Sequence, residues 1–235
     1  MLVSICIPTC DRPLLLWEAI LSCFAQSHRP LEVLIGDDSA NDDSKSLVET
    51  IVSPQGVTLR YRRNRPRLGQ AGNVNSLFDA ACGDWIILLH DDDTLLPGAV
   101  GLLLDRFNSD PEIVAAYGKQ WLMSFDGAVL EQESESLNRF YFRDPGHAGT
   151  RLSALEAALV QQFPNDGYMV RSSAARALRY PEEGETDRVS WCDFAFGLRL
   201  AQHGPFHFLN AFTASTGSPQ ARSAHKAAPG LEHST

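Results

Sequence analysis

This 235-residue chain lacks several things, and each absence removes a class of protein. No two of its five cysteines stand at C-x-x-C spacing, so a structural zinc site is not indicated. No G-x-G-x-x-G follows the first apolar segment and no G-x-x-x-x-G-K-[ST] occurs anywhere. Dinucleotide oxidoreductases and P-loop enzymes are thereby disfavoured. No apolar run is long enough to cross a bilayer, which leaves only peripheral contact with a membrane open. Basic charge is short too. A net charge of −9 and a pI near 5.2 argue against nucleic acid as a partner, because phosphate binding needs a basic surface. The densest basic group, Arg60, Arg62, Arg63, Arg65 and Arg67, reads as a solvated strand edge and loop. The opening residues lack a basic segment followed by an apolar stretch, so no signal peptide is expected. Cys6, Cys23 and Cys82 lie in apolar segments, where free thiols behave as small hydrophobes; a reduced, cytoplasmic chain is the simplest expectation.

With 44% apolar residues, the chain can bury the core of one large domain, with or without an appended subdomain. Its most informative stretch runs from Gly83 through Trp85, Ile86, Ile87, Leu88 and Leu89 to His90, Asp91, Asp92 and Asp93, ahead of Pro97. The apolar part is too short and uniform for an amphipathic helix and reads as a strand buried on both faces, as in a parallel sheet. Three carboxylates at such a strand end repel one another, and the usual relief is a bound cation or a set of backbone donors.

Strands and helices alternate through the first half. Strand patterns cover residues 2–8, 31–36, 58–62 and 85–89, and helical patterns cover 14–26, 44–52 and 70–81. This is βαβ construction, hence an α/β fold with a mostly parallel sheet and helices on both faces. The second half is less regular. Residues 97–107, 152–162 and 191–202 read as helices; 113–117, 120–125 and 167–171 read as strands, with Asp126-Gly127 as a hairpin turn. Residues 131–150 are polar and predict a loop, a candidate lid. Composition after Thr213 predicts a disordered tail over 214–235. Carboxylates end two strands, so a parallel sheet would set Thr9 to Arg12, Asp37 to Asp38 and Asp91 to Asp93 along one rim, where open α/β sheets bind ligands.

An ordered series of residues now stands out: Pro8-Thr9 with Asp11-Arg12, Gln26, Glu32, Asp37-Asp38-Ser39 with Asp42, Gly69, Asn75, Gly83-Asp84-Trp85-Ile86, and Asp91-Asp92-Asp93 before Pro97. In this order the chain resembles the family 2 glycosyltransferases, inverting enzymes of the GT-A fold, a Rossmann-like sheet with a smaller mixed acceptor-side region. The resemblance covers residues 3–203. It implies a domain over 1–213, with a nucleotide-sugar half at 1–110 and an acceptor half at 111–213. It further implies that Asp38 accepts a hydrogen bond from a uracil base and that Pro8, Thr9, Asp11 and Arg12 line the base pocket. Asp91 is implied near the ribose, Asp92 on a divalent metal, Mn²⁺ or Mg²⁺, and Asn75 as a donor contact competing with a structural hydrogen bond. The family's usual aspartate before Asp91 is His90 here, read as a strand end. Asp193, six residues before Arg199, is implied as the general base; without the resemblance it would read as a helix-capping aspartate. Trp191 reads as core, and Asp166 and His203 as surface residues. The implied partners are a nucleotide-sugar donor, with UDP or dTDP, and a hydroxyl acceptor that the composition does not identify. A nucleotidyltransferase would need a glycine-rich basic loop after the first strand, and a non-catalytic binding module would not need both Asp92 and Asp193.

Overall fold

A computed structural model describes residues 1–124, 126–182 and 191–217. The central strands are the most apolar segments of the sequence. β1 (Val3–Thr9), β2 (Leu31–Asp37) and β4 (Trp85–Leu88) are covered on both faces, and they pair in parallel with β1 in the middle. β3 (Val57–Arg63) adds to β2 in parallel as the sheet edge. Its alternate exposure sends Arg60 and Arg62 to solvent, as read from the arginine cluster.

The remaining strands are β5 (Asp93–Leu95), β6 (Ala115–Met123), β7 (Met169–Arg171) and β8 (Phe206–Gly217). They complete an 8-stranded sheet in the order β3-β2-β1-β4-β7-β6-β8-β5. β7 runs antiparallel to β4 and β6, β6 and β8 run parallel, and β5 closes the far edge antiparallel to β8. The second half of the sheet is therefore mixed. Helices cover both faces. On one side α1 (Pro13–Phe24), α2 (Asp43–Glu49) and α4 (Ala99–Ser109) pack Leu16, Ile20, Val48, Leu103 and Phe107 against Ile5, Val33 and Ile87. On the other, α3 (Gly69–Ala80), α6 (Ala154–Leu159), α7 (Ser172–Leu178) and α8 (Cys192–Leu200) pack Val74, Phe78, Ala157, Ala175 and Phe196 against Cys6, Leu34 and Ile86. All five cysteines are free. Among the described residues, no helix is long and apolar enough to cross a membrane.

Three expectations are corrected. The polar stretch after Leu130 is not a loop: α5 (Glu131–Phe140) forms there. Its buried residues are Ser134 and Asn138, not apolar ones, and they satisfy the free side of β6. Ser134 Oγ accepts from Leu122 N at 2.8 Å, while Asn138 accepts from Gln120 N at 3.2 Å and donates to Gln120 O at 2.8 Å. The two strands expected at 113–117 and 120–125 are one strand, β6 (Ala115–Met123), bent by register shifts around Lys119; residue 125 lies outside the described residues. Finally, β8 runs through Gly217, because Ser215 and Thr216 pair with both β6 and β5; the rest of the expected tail, 218–235, lies outside the described residues.

Candidate active site

The C-terminal ends of β1, β2 and β4 open into a cavity of about 660 Å³. Its wall includes Pro8, Thr9, Arg12, Asp38, Asp91, Asp92 and Asp193, together with Arg67, Gln70 and His90. Sequence segments far apart thus meet at one rim. Asp11 stands beside this wall rather than on it. Its backbone takes a positive φ of 56°, its N–H donates to Ser39 Oγ at 2.7 Å, and its carboxylate accepts from Ala40 N and Arg67 Nη2 at 3.0 Å each. These bonds stitch the β1 loop to the β2 loop.

Asp38 is 5% exposed and holds the entry to α3. Its oxygens accept from Gly69 N at 2.8 Å, from Leu68 N at 3.2 Å and from Asn64 Nδ2 at 2.9 Å. The Leu68 N–H is shared between both oxygens, so each oxygen carries two contacts, and the residue still forms part of the cavity wall. Asn73 braces this arrangement by accepting from Asn64 Nδ2 and donating to Gly36 O. Asn75 behaves otherwise. It is 1% exposed, is not on the cavity wall, and is spent on Tyr180: its Nδ2 donates to Tyr180 O at 2.9 Å and its Oδ1 accepts from Tyr180 N at 2.8 Å. Of the two roles weighed for it, the geometry supplies the structural one.

The acidic run forms a turn between β4 and β5, closed by Asp93 N donating to His90 O at 3.2 Å. Asp91 points inward and is 1% exposed. Thr9 Oγ1 donates to its Oδ2 at 2.6 Å, and Arg12 Nη2 lies 2.7 Å from its Oδ1. Burial pushes its pKa up to about 6, with Arg12 and Thr9 pulling the other way and Asp92 adding to the rise. Arg12 also donates to Asp92 Oδ2 at 3.1 Å, so one guanidinium bridges two carboxylates. A positive charge is therefore already accommodated there. His90, Asp92 and Asp93 each bring a ligand atom within 4.8 Å of the others, the one such group among the described residues. Carboxylate oxygens with one imidazole suit Mn²⁺, and the carboxylates alone suit Mg²⁺. His90, read as a plain strand end, thus sits in a group that could hold a cation; its place before the triplet is the available signal. Asp93 went unassigned because β5 was not foreseen.

Asp193 lies in the first turn of α8 and reaches the same cavity as Asp92. Gln70 Nε2 comes within 3.4 Å of its Oδ2, while its Oδ1 is buried with no hydrogen-bond partner among the described residues. It does not cap the helix. Burial raises its pKa, against the opposing pull of His90 and the Tyr180 hydroxyl. A carboxylate with an idle oxygen and raised proton affinity is suited to accept a proton. Arg199 stays away from the cavity and anchors α8 on the carbonyls of Leu178 and Arg179 at 3.1 Å. Trp191 is 52% exposed rather than core, and Asp166 is 2% exposed rather than at the surface. His203 is exposed, as read.

A parallel half-sheet joined to a mixed half, with an acid-lined cavity at its carboxyl rim, defines the GT-A class of α/β proteins. Solved structures agree on the fold. Staphylococcus aureus TarS residues 1–349 in complex with UDP-GlcNAc superposes with a TM-score of 0.72 at 14% identity, covering 93% of this chain and 59% of that one. The mannosyltransferase PcManGT from Pyrobaculum calidifontis, in complex with GDP-Man and Mn²⁺, gives 0.65 at 14% identity over 93% and 57%. In sequence, the chain is 33% identical over 138 residues to the GalNAc(5)-diNAcBac-PP-undecaprenol beta-1,3-glucosyltransferase of Campylobacter jejuni, a match covering 57% of this chain and 45% of that relative. The chain spans about half the length of the curated relatives it matches. The profile of glycosyl transferase family 2 matches residues 4–158, more than half of the sequence. The chain belongs to that family.

Proposed function

We propose that the chain transfers a sugar from a nucleoside-diphosphate donor, with UDP or dTDP, to an acceptor hydroxyl with inversion at the anomeric carbon. The observation that carries this reading is the single cavity shared by Asp38, Asp91, Asp92 and Asp193, which come from three separate segments. Asp38, on the cavity wall, accepts from the base beside Pro8, Thr9 and Arg12. Asp91, held by Thr9 and Arg12, faces the ribose. Asp92, with Asp93 and His90 in reach, would hold Mn²⁺ or Mg²⁺. A bound divalent cation supplies neutralisation of the charge that develops on the departing diphosphate.

Asp193 takes the proton of the acceptor hydroxyl as its oxygen attacks. Inversion needs only one such base, because attack and departure occur on opposite faces of the anomeric carbon. The exposed Trp191, edge-on to Phe194 at 5.8 Å, offers an apolar platform beside Asp193 for an acceptor sugar ring. The test is a thermal-shift screen of UDP-, dTDP- and GDP-sugars with and without Mn²⁺, followed by assay of donor hydrolysis. A stabilising, Mn²⁺-dependent UDP- or dTDP-sugar that is slowly hydrolysed supports the reading. No shift and no hydrolysis with any donor refutes it.

A further inference from the structure

We propose that Asp166 is a positioning residue for the cation-binding turn, acting through the backbone of His90. The inference rests on the reading of that turn as a cation site. The sheet lets go of the chain just before the turn: Leu89 N donates to Cys6 O at 3.0 Å, and on the other side Gly167 N donates to Leu88 O at 2.8 Å. The next backbone donor, His90 N, is held by a side chain, Asp166 Oδ2, at 3.0 Å. Asp166 thus sets the point from which His90, Asp92 and Asp93 project. It is not on the cavity wall, although its neighbour Asn165 is.

Asp166 is itself locked. Its Oδ1 accepts from Gln120 Nε2 at 3.1 Å, and Gln120 Oε1 accepts from Arg143 Nη1 at 2.9 Å. Arg143 is 4% exposed and spends its other nitrogens on the carbonyls of Gln162 and Gln161, at 2.8 and 3.1 Å. Burial lowers its pKa to about 10, opposed in part by the charge of Asp166. Two buried opposite charges therefore face each other through one amide, and that amide can turn only one way: oxygen to the arginine, nitrogen to the aspartate. A buried polar network that is fully satisfied is rigid, so the relay keeps the Asp166 side chain in place. A charge-assisted bond to His90 N is shorter and stiffer than one from a neutral acceptor.

The relay is tested in the full chain by isothermal titration of Mn²⁺ in the presence of UDP. Asp166→Asn puts an amide nitrogen against Gln120 Nε2, two donors face to face, and unlocks the turn. Mn²⁺ affinity should fall about 10-fold or more, the usual worth of a group that orients metal ligands, while metal-free UDP affinity stays unchanged. Adding Gln120→Glu to Asp166→Asn moves the negative charge one link along. The new carboxylate accepts from both Arg143 and the new amide, whose oxygen again faces His90 N, and Mn²⁺ affinity should recover. A merely structural role would alter melting temperature without this loss and rescue. Wild-type protein that binds UDP without any Mn²⁺ dependence overturns the cation site itself. Wild-type Mn²⁺ dependence, together with equal affinity in Asp166→Asn or no rescue in the double variant, overturns the role of Asp166 alone.

Discussion

Asp193→Asn removes a proton acceptor and almost nothing else. The side chain keeps its shape, and the amide oxygen can meet one of the neighbouring donors among the described residues, Gln70 Nε2 at 3.4 Å and the Tyr180 hydroxyl. Among the described residues, the lost Oδ1 charge had no hydrogen-bond partner to abandon. General-base catalysis is worth about 10²–10⁴-fold, so kcat/KM should fall by that factor, about 3–5 kcal/mol of transition-state stabilisation. Stability moves in the opposite sense. Burial raises the folded-state pKa of Asp193 above its ordinary value of 3.8, so the folded protein binds this proton more tightly than the unfolded chain does. The wild-type carboxylate therefore costs stability as pH rises through its folded pKa, and that cost is absent below the unfolded value. The amide escapes it, so the variant should melt at the same temperature or higher near neutral pH, with the difference closing in acid. The assay is a pair of pH profiles of kcat/KM with melting curves alongside. Wild type should lose activity on the acid side at a pH above the ordinary carboxylate range, and the variant should lack that limb. A variant with wild-type turnover, or one that loses UDP affinity in proportion to its rate, would refute the assignment.

Asp92→Asn should abolish the Mn²⁺ dependence of UDP binding measured by titration; a preserved dependence removes Asp92 from the cation. Asn75→Ala leaves the buried Tyr180 N–H without its acceptor and should cost about 1–3 kcal/mol in denaturant melts while UDP affinity is retained. A donor-binding Asn75 would show the reverse. At Gly36 an added Cβ would stand 2.1 Å from Asn73 Oδ1. Gly36→Ala should therefore push away the amide that braces Asn64 and Asp38, costing about 1–3 kcal/mol and weakening metal-free UDP binding. Unchanged affinity would disconnect the Asn73 brace from the base pocket.

What the sequence disclosed followed the physics of burial. β1, β2 and β4 are covered on both faces, so their apolar runs were legible, and the rim they share followed from parallel pairing. The resemblance then supplied residues that periodicity alone would have left anonymous, such as Asp193. The misses have a common cause: polar atoms performing structural work. α5 docks through Ser134 and Asn138, so its buried stripe carries no apolar signature. β8 mixes Phe206 and Phe208 with Asn210, Thr213, Ser215 and Thr216, and its pairing with β6 and β5 is long-range. Without β8 the short β5 has no partner, which hid the turn that brings Asp93 beside Asp92. Asp166 escaped for the same reason. Its partners include His90, Gln120 and, through Gln120, Arg143, and none of these is near it in sequence.

The central claim is that one cavity holds a nucleoside diphosphate with its cation at the His90–Asp93 turn and Asp193 beside the transferred sugar. Anomalous diffraction from crystals grown with UDP-sugar and Mn²⁺ tests it most directly. The expected result is a manganese peak bonded to Asp92 and to the diphosphate, with the base beside Asp38 and the sugar's anomeric carbon on the side of Asp193. Manganese bound elsewhere, or a donor whose sugar points away from Asp193, would contradict it.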